Sequence, residues 1–333
     1  MQAIVQHAFG GPQVLELAEL PRPRPMAGEV LVRQRATSVN PVDLYVRSGV
    51  FALIGQPPLT LGWDVSGIVE EPGPGTSRFA VGDEVFGMPR FPRAANAYAE
   101  YVAAPASQLA RKPARISHEE AAALPLAGLT AWQALHDVAM LQPGQRVLIH
   151  GAGGGVGHLA VQIAKALGAE VTATASAAKH AFVRSLGADR VIDYRTEDFA
   201  ERLAGLDVVL DLVGHSTAER SLNVLREGGL LVTAVERMNT SLAELASQQG
   251  RRFAGVAVEA DGTGMARLAE LVEAGRLRAH VERVFALSEA AAAHQWLGEV
   301  GESNRWMPGR STQGKLVLRI SDASAESAPP PGR

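Results

Sequence analysis

The 333-residue chain contains no cysteine. That absence excludes disulfide bonds, thiol nucleophiles and thiolate-bound metal, although it does not by itself place the protein in a compartment. His7, His118, His136, His150, His158, His180, His215, His280 and His294 remain as possible ligands, but they show no paired ligand spacing, so no metal site is expected. An excess of positive charge is missing too, the formal net charge being −3. Without a basic field to attract phosphate backbones, nucleic-acid binding is not expected as the main role, and a small-molecule partner fits better. No apolar stretch reaches membrane-spanning length, and residues 1–8 read as an alternating strand rather than a targeting segment. A cytoplasmic protein is the expectation. Phenols are scarce as well: Tyr45, Tyr98, Tyr101 and Tyr194 are the only four.

What is present is apolar bulk, 47% of the residues, enough for two domains and a substantial core. The first hundred or so residues are rich in Gly, Pro and β-branched residues, with short apolar runs at 30–32 and 65–69 broken by turns. They predict a many-stranded, barrel-like β domain. From about Glu119 the texture changes to Ala-rich helical stretches, then to strands and helices in regular alternation. Strands are expected at 146–150, 170–175, 190–193, 207–212, 230–235 and 253–258, the pattern of a doubly wound parallel sheet. After a helix at about 265–274, a strand near 281–284, an Ala-rich helix from Ser288 and a last strand at 315–320 are expected to rejoin the first domain. The division is then 1–123 and 276–320 for the β domain and 124–275 for the α/β domain. The Ser-, Ala- and Pro-rich segment 321–333 is expected to be disordered.

One motif carries chemistry. His150-Gly151-Ala152-Gly153-Gly154-Gly155-Val156-Gly157 lies between a strand and a helix, the context in which such glycines mean dinucleotide binding. Residues without side chains let a pyrophosphate approach the amide N–H groups at a helix N-terminus, where the helix dipole favours negative charge. An acidic residue at the end of the second strand would accept hydrogen bonds from a free ribose 2′-hydroxyl. That strand instead ends in Thr174, Ala175 and Ser176, with Lys179 following. A hydroxyl and a cation suit a 2′-phosphate, so NADPH is the expected cofactor, unless Ser176 only caps the next helix and Lys179 is only solvated.

The run 144–157, continuing to Gln162 and Lys165, resembles the signature of the quinone oxidoreductase and ζ-crystallin branch of the medium-chain dehydrogenases/reductases. So do Ser38-Val39-Asn40-Pro41-Val42-Asp43, Arg47-Ser48-Gly49, Gly82-Asp83-Glu84-Val85, Gly128-Leu129-Thr130-Ala131, Gly187-Ala188-Asp189 and Gln313-Gly314-Lys315. Gly62-Trp63-Asp64-Val65-Ser66-Gly67 stands where zinc-dependent relatives carry a Gly-His-Glu motif. The resemblance covers nearly the whole chain. It implies a GroES-like β-barrel catalytic domain built from both ends of the chain, a Rossmann domain between them, a cofactor cleft where they meet, and a homodimer. It places Asn40 and Thr130 beside the nicotinamide and Ser176, Lys179, Tyr194 and Arg310 around the adenosine phosphate. Val213 and Val235 join Gly151, Ala152, Gly153, Gly154, Gly155, Val156 and Gly157 among the cofactor-binding residues. Two departures stand out: Gly153 replaces the common Ala or Ser, and 235–239 lacks the family's Gly-Asn-rich turn, which bears on the substrate end of the pocket.

Without a metal to polarise a carbonyl or alkoxide, the chain should be poor at alcohol oxidation. An electron-poor acceptor such as a quinone needs less help, because conjugation spreads its developing charge. The expected activity is metal-free reduction of such an acceptor by NADPH, with protonation by Tyr45 or by solvent. Tyr45 can equally be a packing aromatic, and Asp43 can orient the acceptor or cap a short helix after Pro41. Enone or enoyl C=C reduction and non-catalytic NADPH binding are the alternatives. The strands at 230–235 or 253–258 are the expected sheet edge for a homodimer.

Overall fold

The computed structural model describes residues 1–300, 306–308 and 312–320; the candidate Arg310 and the tail 321–333 lie outside the described residues. Two large sheets organise the chain. The first has six strands in the order Arg190–Asp193, Glu170–Ala175, Arg146–Ile149, Leu206–Asp211, Leu225–Thr233 and Arg252–Gly255, every neighbouring pair parallel. In chain order this is 3-2-1-4-5-6, the doubly wound arrangement whose direction of winding reverses between its first and fourth strands. Val147, Leu148, Ile149, Val209 and Leu210 have no exposed surface, as strands covered on both faces by crossover helices require. The two-residue side-chain period divides them. Leu148 and Val209 pack with Leu222, Leu231 and Leu242 on one face, while Val147, Ile149 and Leu210 join the larger cluster on the other.

The helix Gly157–Ala166 follows the first of these strands and buries Leu159, Ala160, Ile163 and Ala164. It ends at Gly168, whose φ of +86° is the left-handed conformation that a helix terminus demands and glycine alone adopts freely.

The second sheet has the order Val281–Ala286, Lys315–Arg319, Glu29–Val39, Val65–Pro72, Glu84–Gly87 and Leu109–Arg111, with Tyr101–Pro105 also paired to Glu29–Val39. Both ends of the chain therefore build it, in the GroES-like domain. The apolar run expected at 30–32 is the start of an eleven-residue strand. Its polar middle stays in the sheet because it is paired: the buried Gln34 donates its backbone N–H to Glu100 O at 2.8 Å and its amide to Ala99 O at 3.2 Å. Irregular pairing between Leu31 and Val32 and between Gln34 and Ala36 bends the strand.

Several expected strands shift by a residue or two at their ends, and two change more. The strand expected at 230–235 runs from Leu225 to Thr233 and lies inside the sheet, leaving Val235 beyond its end. The strand expected at 253–258 is Arg252–Gly255, and it alone of the two is an edge. Both expected strands ran past their true ends because valines in the following loops continue the apolar run.

Leu148 lies at the centre of the parallel sheet. Leu148→Ala is expected to cost about 2–5 kcal/mol, read as a lower denaturation midpoint at unchanged m-value.

Candidate dinucleotide site

The glycine motif forms the turn between Arg146–Ile149 and Gly157–Ala166, at the point where the sheet reverses its winding. Backbone bonds hold it to the neighbouring strands: His150 N–H donates to Leu210 O at 3.0 Å and Ala152 N–H to Thr174 O at 3.2 Å. A Cβ on Gly157 would lie 2.2 Å from Gly151 O and 2.7 Å from Ala152 Cα, backbone atoms that cannot yield. The helix can start this close to the turn only because residue 157 has no side chain. Above the turn the obstacles are lysine stems: a Cβ on Gly153 would meet Lys179 Cδ at 2.6 Å, and one on Gly155 would meet Lys315 Cδ at 3.1 Å. The turn thus offers bare backbone at the start of a ten-residue helix, a shape and polarity that fit a diphosphate.

Two buried histidines brace it from below. Ser221 Oγ donates to Thr217 O at 2.6 Å, so it accepts from His150 Nε2 at 3.0 Å, and His150 Nδ1 accepts from Thr174 Oγ1 at 2.9 Å. His158 donates from Nδ1 to Gly154 O at 2.9 Å and accepts His280 N–H on Nε2 at 3.1 Å. Both imidazoles are neutral: burial, reinforced by Arg220, pushes His150 down to about 3, and burial pushes His158 down to about 4.

Just past the second strand, Ser176 is buried and makes no side-chain capping bond. Lys179 is not a freely solvated cation. Its Nζ donates to Thr312 O at 2.5 Å, and burial lowers its pKa against the opposing field of Glu282. Tyr194 is exposed, with the Arg195 guanidinium 5.8 Å from its ring centroid. Arg195, absent from the sequence-based candidates, brings a second cation close enough to depress Lys179 further. The nearby carboxylate of Asp193 is occupied by Ala177 N–H at 3.2 Å and Arg195 N–H at 3.0 Å. Val213 and Val235 stand about half exposed beside the turn, Val213 Cγ2 lying 3.5 Å from where a Gly151 Cβ would be.

At the opposite end, Asn40 precedes the helix Pro41–Ser48 and is buried. Its Nδ2 donates to Asp64 Oδ2 at 2.7 Å, and its Oδ1 accepts from Lys315 Nζ. Asp64 also receives Ser38 Oγ and, at 2.7 Å, Leu126 N–H. Thr130 is buried and bonds its hydroxyl back to Leu126 O at 2.8 Å. Asp43 is fully buried; its carboxylate accepts Asn40 N–H at 2.8 Å and Gly62 N–H at 3.1 Å, tying the start of the helix to the loop before Asp64. That is the helix-capping arrangement. Tyr45 is half-buried and stacks on Phe51 with centroids 4.5 Å apart.

Two family models match the chain: the alcohol dehydrogenase GroES-like domain over residues 26–114 and the zinc-binding dehydrogenase domain over 186–318. A 2-haloacrylate reductase from a Burkholderia species is 34% identical, covering 96% of this chain and 98% of its own length. The chain belongs to the medium-chain dehydrogenase/reductase family, on its quinone oxidoreductase branch. Solved structures of similar proteins match its architecture. The quinone oxidoreductase of Coxiella burnetii superposes with a TM-score of 0.86 at 36% identity, over 96% of this chain and 99% of that one. The Escherichia coli quinone oxidoreductase complexed with NADPH gives 0.82 at 32% identity, over 96% and 100%. Although one matching model is a zinc-binding one, among the described residues no group of three or more His, Cys, Asp or Glu could hold a metal ion.

Lys315 and Asp64 stand in the family-like sequence motifs, yet neither is among the site residues expected from sequence. The signal was available in Lys315-Leu316-Val317-Leu318, where a lysine opens an apolar strand that the sheet buries.

Burial, with Asp64 adding to it and the bond from Asn40 N–H opposing it, raises Asp43 from 3.8 to about 7. A carboxyl raised on folding contributes stability that is complete below its unfolded pKa and lost as pH rises through the folded one. The stability difference between wild type and Asp43→Asn should therefore fall between about pH 4 and 7 and be flat above; denaturant titrations across this range check it, and a flat difference throughout would contradict the assignment.

Proposed function

We propose that this protein is an NADPH-dependent, metal-free reductase of quinones or similarly activated electrophiles. The observation that carries the reading is the side-chain-free turn at the sheet's switch point, followed by a second strand that ends at Ala175, with Ser176 next and Lys179 and Arg195 near each other beyond it. When bound, NADPH supplies a hydride from C4 of its nicotinamide. The amides of the turn hold the diphosphate, and Ser176, Lys179, Tyr194 and Arg195 surround the adenosine phosphate, with Arg310 a further candidate. Asn40, Thr130, Val213 and Val235 border the nicotinamide. Asp43 holds Asn40 in place through its backbone.

The case for a metal-free reaction rests on what the ligands are doing. The chain has no cysteine, and Asp64 is engaged by Asn40, Ser38 and Leu126 N–H with the Lys315 ammonium 4.0 Å away. An acceptor that spreads its own developing charge needs orientation and exclusion of water more than a Lewis acid. Protonation falls to Tyr45 or to solvent. A second reading, reduction of a conjugated C=C bond, is favoured by the similarity to a 2-haloacrylate reductase, since an acrylate carries such a bond.

NADPH consumption against parallel panels of quinones and enones separates the two readings, and tight binding without turnover on either would favour a nucleotide-binding role instead. Ser176→Asp is expected to shift preference toward NADH by roughly tenfold or more, the scale of one added like-charge contact; an unchanged cofactor ratio would remove Ser176 from the phosphate site. Tyr45→Phe should slow turnover and alter its pH profile if the phenol is the acid, whereas an unchanged rate at every pH leaves the proton to solvent.

A further inference from the structure

Lys315 opens the strand Lys315–Arg319, where Leu316 pairs with Val39, so its side chain reaches the residues just before the helix Pro41–Ser48. It is only 3% exposed. Its Nζ donates to Val39 O at 2.9 Å and to Asn40 Oδ1, and stands 4.0 Å from Asp64 Oδ2. A buried ammonium in this position needs a carboxylate nearby and hydrogen-bond acceptors, and it has Asp64 as the first and Val39 O and Asn40 Oδ1 as the second.

The consequence falls on Asn40. A side-chain amide has one acceptor atom and one donor atom of nearly equal shape, and only its partners decide which way it faces. Here the oxygen faces a group that can only donate, and the nitrogen faces Asp64 Oδ2 at 2.7 Å. The flipped amide would set donor against ammonium and acceptor against carboxylate, so one orientation survives. Asn40 keeps one N–H uncommitted by these bonds. The Lys315 stem also lies along the glycine turn, with Cδ 3.1 Å from the place of a Gly155 Cβ, and the preceding Gly314 N–H donates to Gly153 O at 3.2 Å. One side chain thus connects the diphosphate turn to the far end of the cleft.

We propose that Lys315 is a positioning residue: with Asp64 it locks the Asn40 amide in a single orientation and keeps that orientation in register with the glycine turn. Its effect on turnover rests on the reading that Asn40 borders the nicotinamide; the lock itself does not.

The lock is tested first without cofactor. In the ¹⁵N spectrum of the free protein, the Asn40 side-chain amide, assigned by its loss in Asn40→Ala, should exchange slowly with solvent, and in Lys315→Met it should exchange at least roughly tenfold faster as the buried pairing is lost. Unchanged exchange would overturn the proposal, whatever the protein's function. The kinetic test is a double-mutant cycle. Lys315→Met should lower kcat by roughly tenfold to hundredfold, the scale of a misplaced active-site group, and should add nothing once Asn40 is alanine. Losses that multiply would mean that Lys315 acts independently of Asn40. If the single variant does not fold, Lys315→Met/Asp64→Asn removes both charges together. A double variant that keeps slow Asn40 exchange and wild-type kcat would show that Lys315 only neutralises Asp64, while a folded double variant with fast exchange and low kcat supports the lock. A wild-type protein that neither binds nor oxidises NADPH would sink the functional reading and leave the exchange experiment to judge Lys315 alone.

Discussion

A lysine and an aspartate buried together beside the strands Lys315–Arg319 and Val65–Pro72 set the terms for everything around them. An ion taken out of water is tolerated only when its partners are fixed in place, and the partners here come from several parts of the chain. Lys315 belongs to the last strand, Asp64 follows a loop tied down by Asp43, and Leu126 N–H begins a helix leading into the α/β domain. A displacement in any of these strands the charge of another. The geometry around Asn40 is therefore shared between the two domains and belongs to neither.

Much of this architecture could be read from residues alone. Arg146–Ile149 and the glycines after it combine a buried apolar run with a turn that tolerates no side chain, and both features are local. The helix stop at Gly168 and the helix after Pro41 are likewise short-range, dictated by a left-handed terminus and by a proline at the first position. What could not be read was pairing across long separations. The polar middle of Glu29–Val39 looks like the end of a strand until its partners are known. Lys179 reads as a surface cation until Thr312 is found beside it, well over a hundred residues further on. Lys315 and Asp64 were visible as motif letters, but a charge gains its meaning only from the opposite charge that the fold brings to it.

The glycine turn and the surroundings of Asn40 differ in physical character. Around the glycine turn, neutral buried histidines hold bare backbone in place, with the cations of Lys179 and Arg195 close to each other near its end. Toward Asn40 most of the polar groups engage one another, while Tyr45 and Phe51 stack their rings.

The strand that carries Lys315 is made last and pairs with one made first, Glu29–Val39. During synthesis the six-stranded sheet, contiguous in the chain, can assemble as soon as it emerges, whereas the other sheet waits with an open edge for its final strand. The glycine turn and the surroundings of Asn40 are thus separated in time: a nascent chain can complete the turn well before the cluster of Lys315, Asn40 and Asp64 exists.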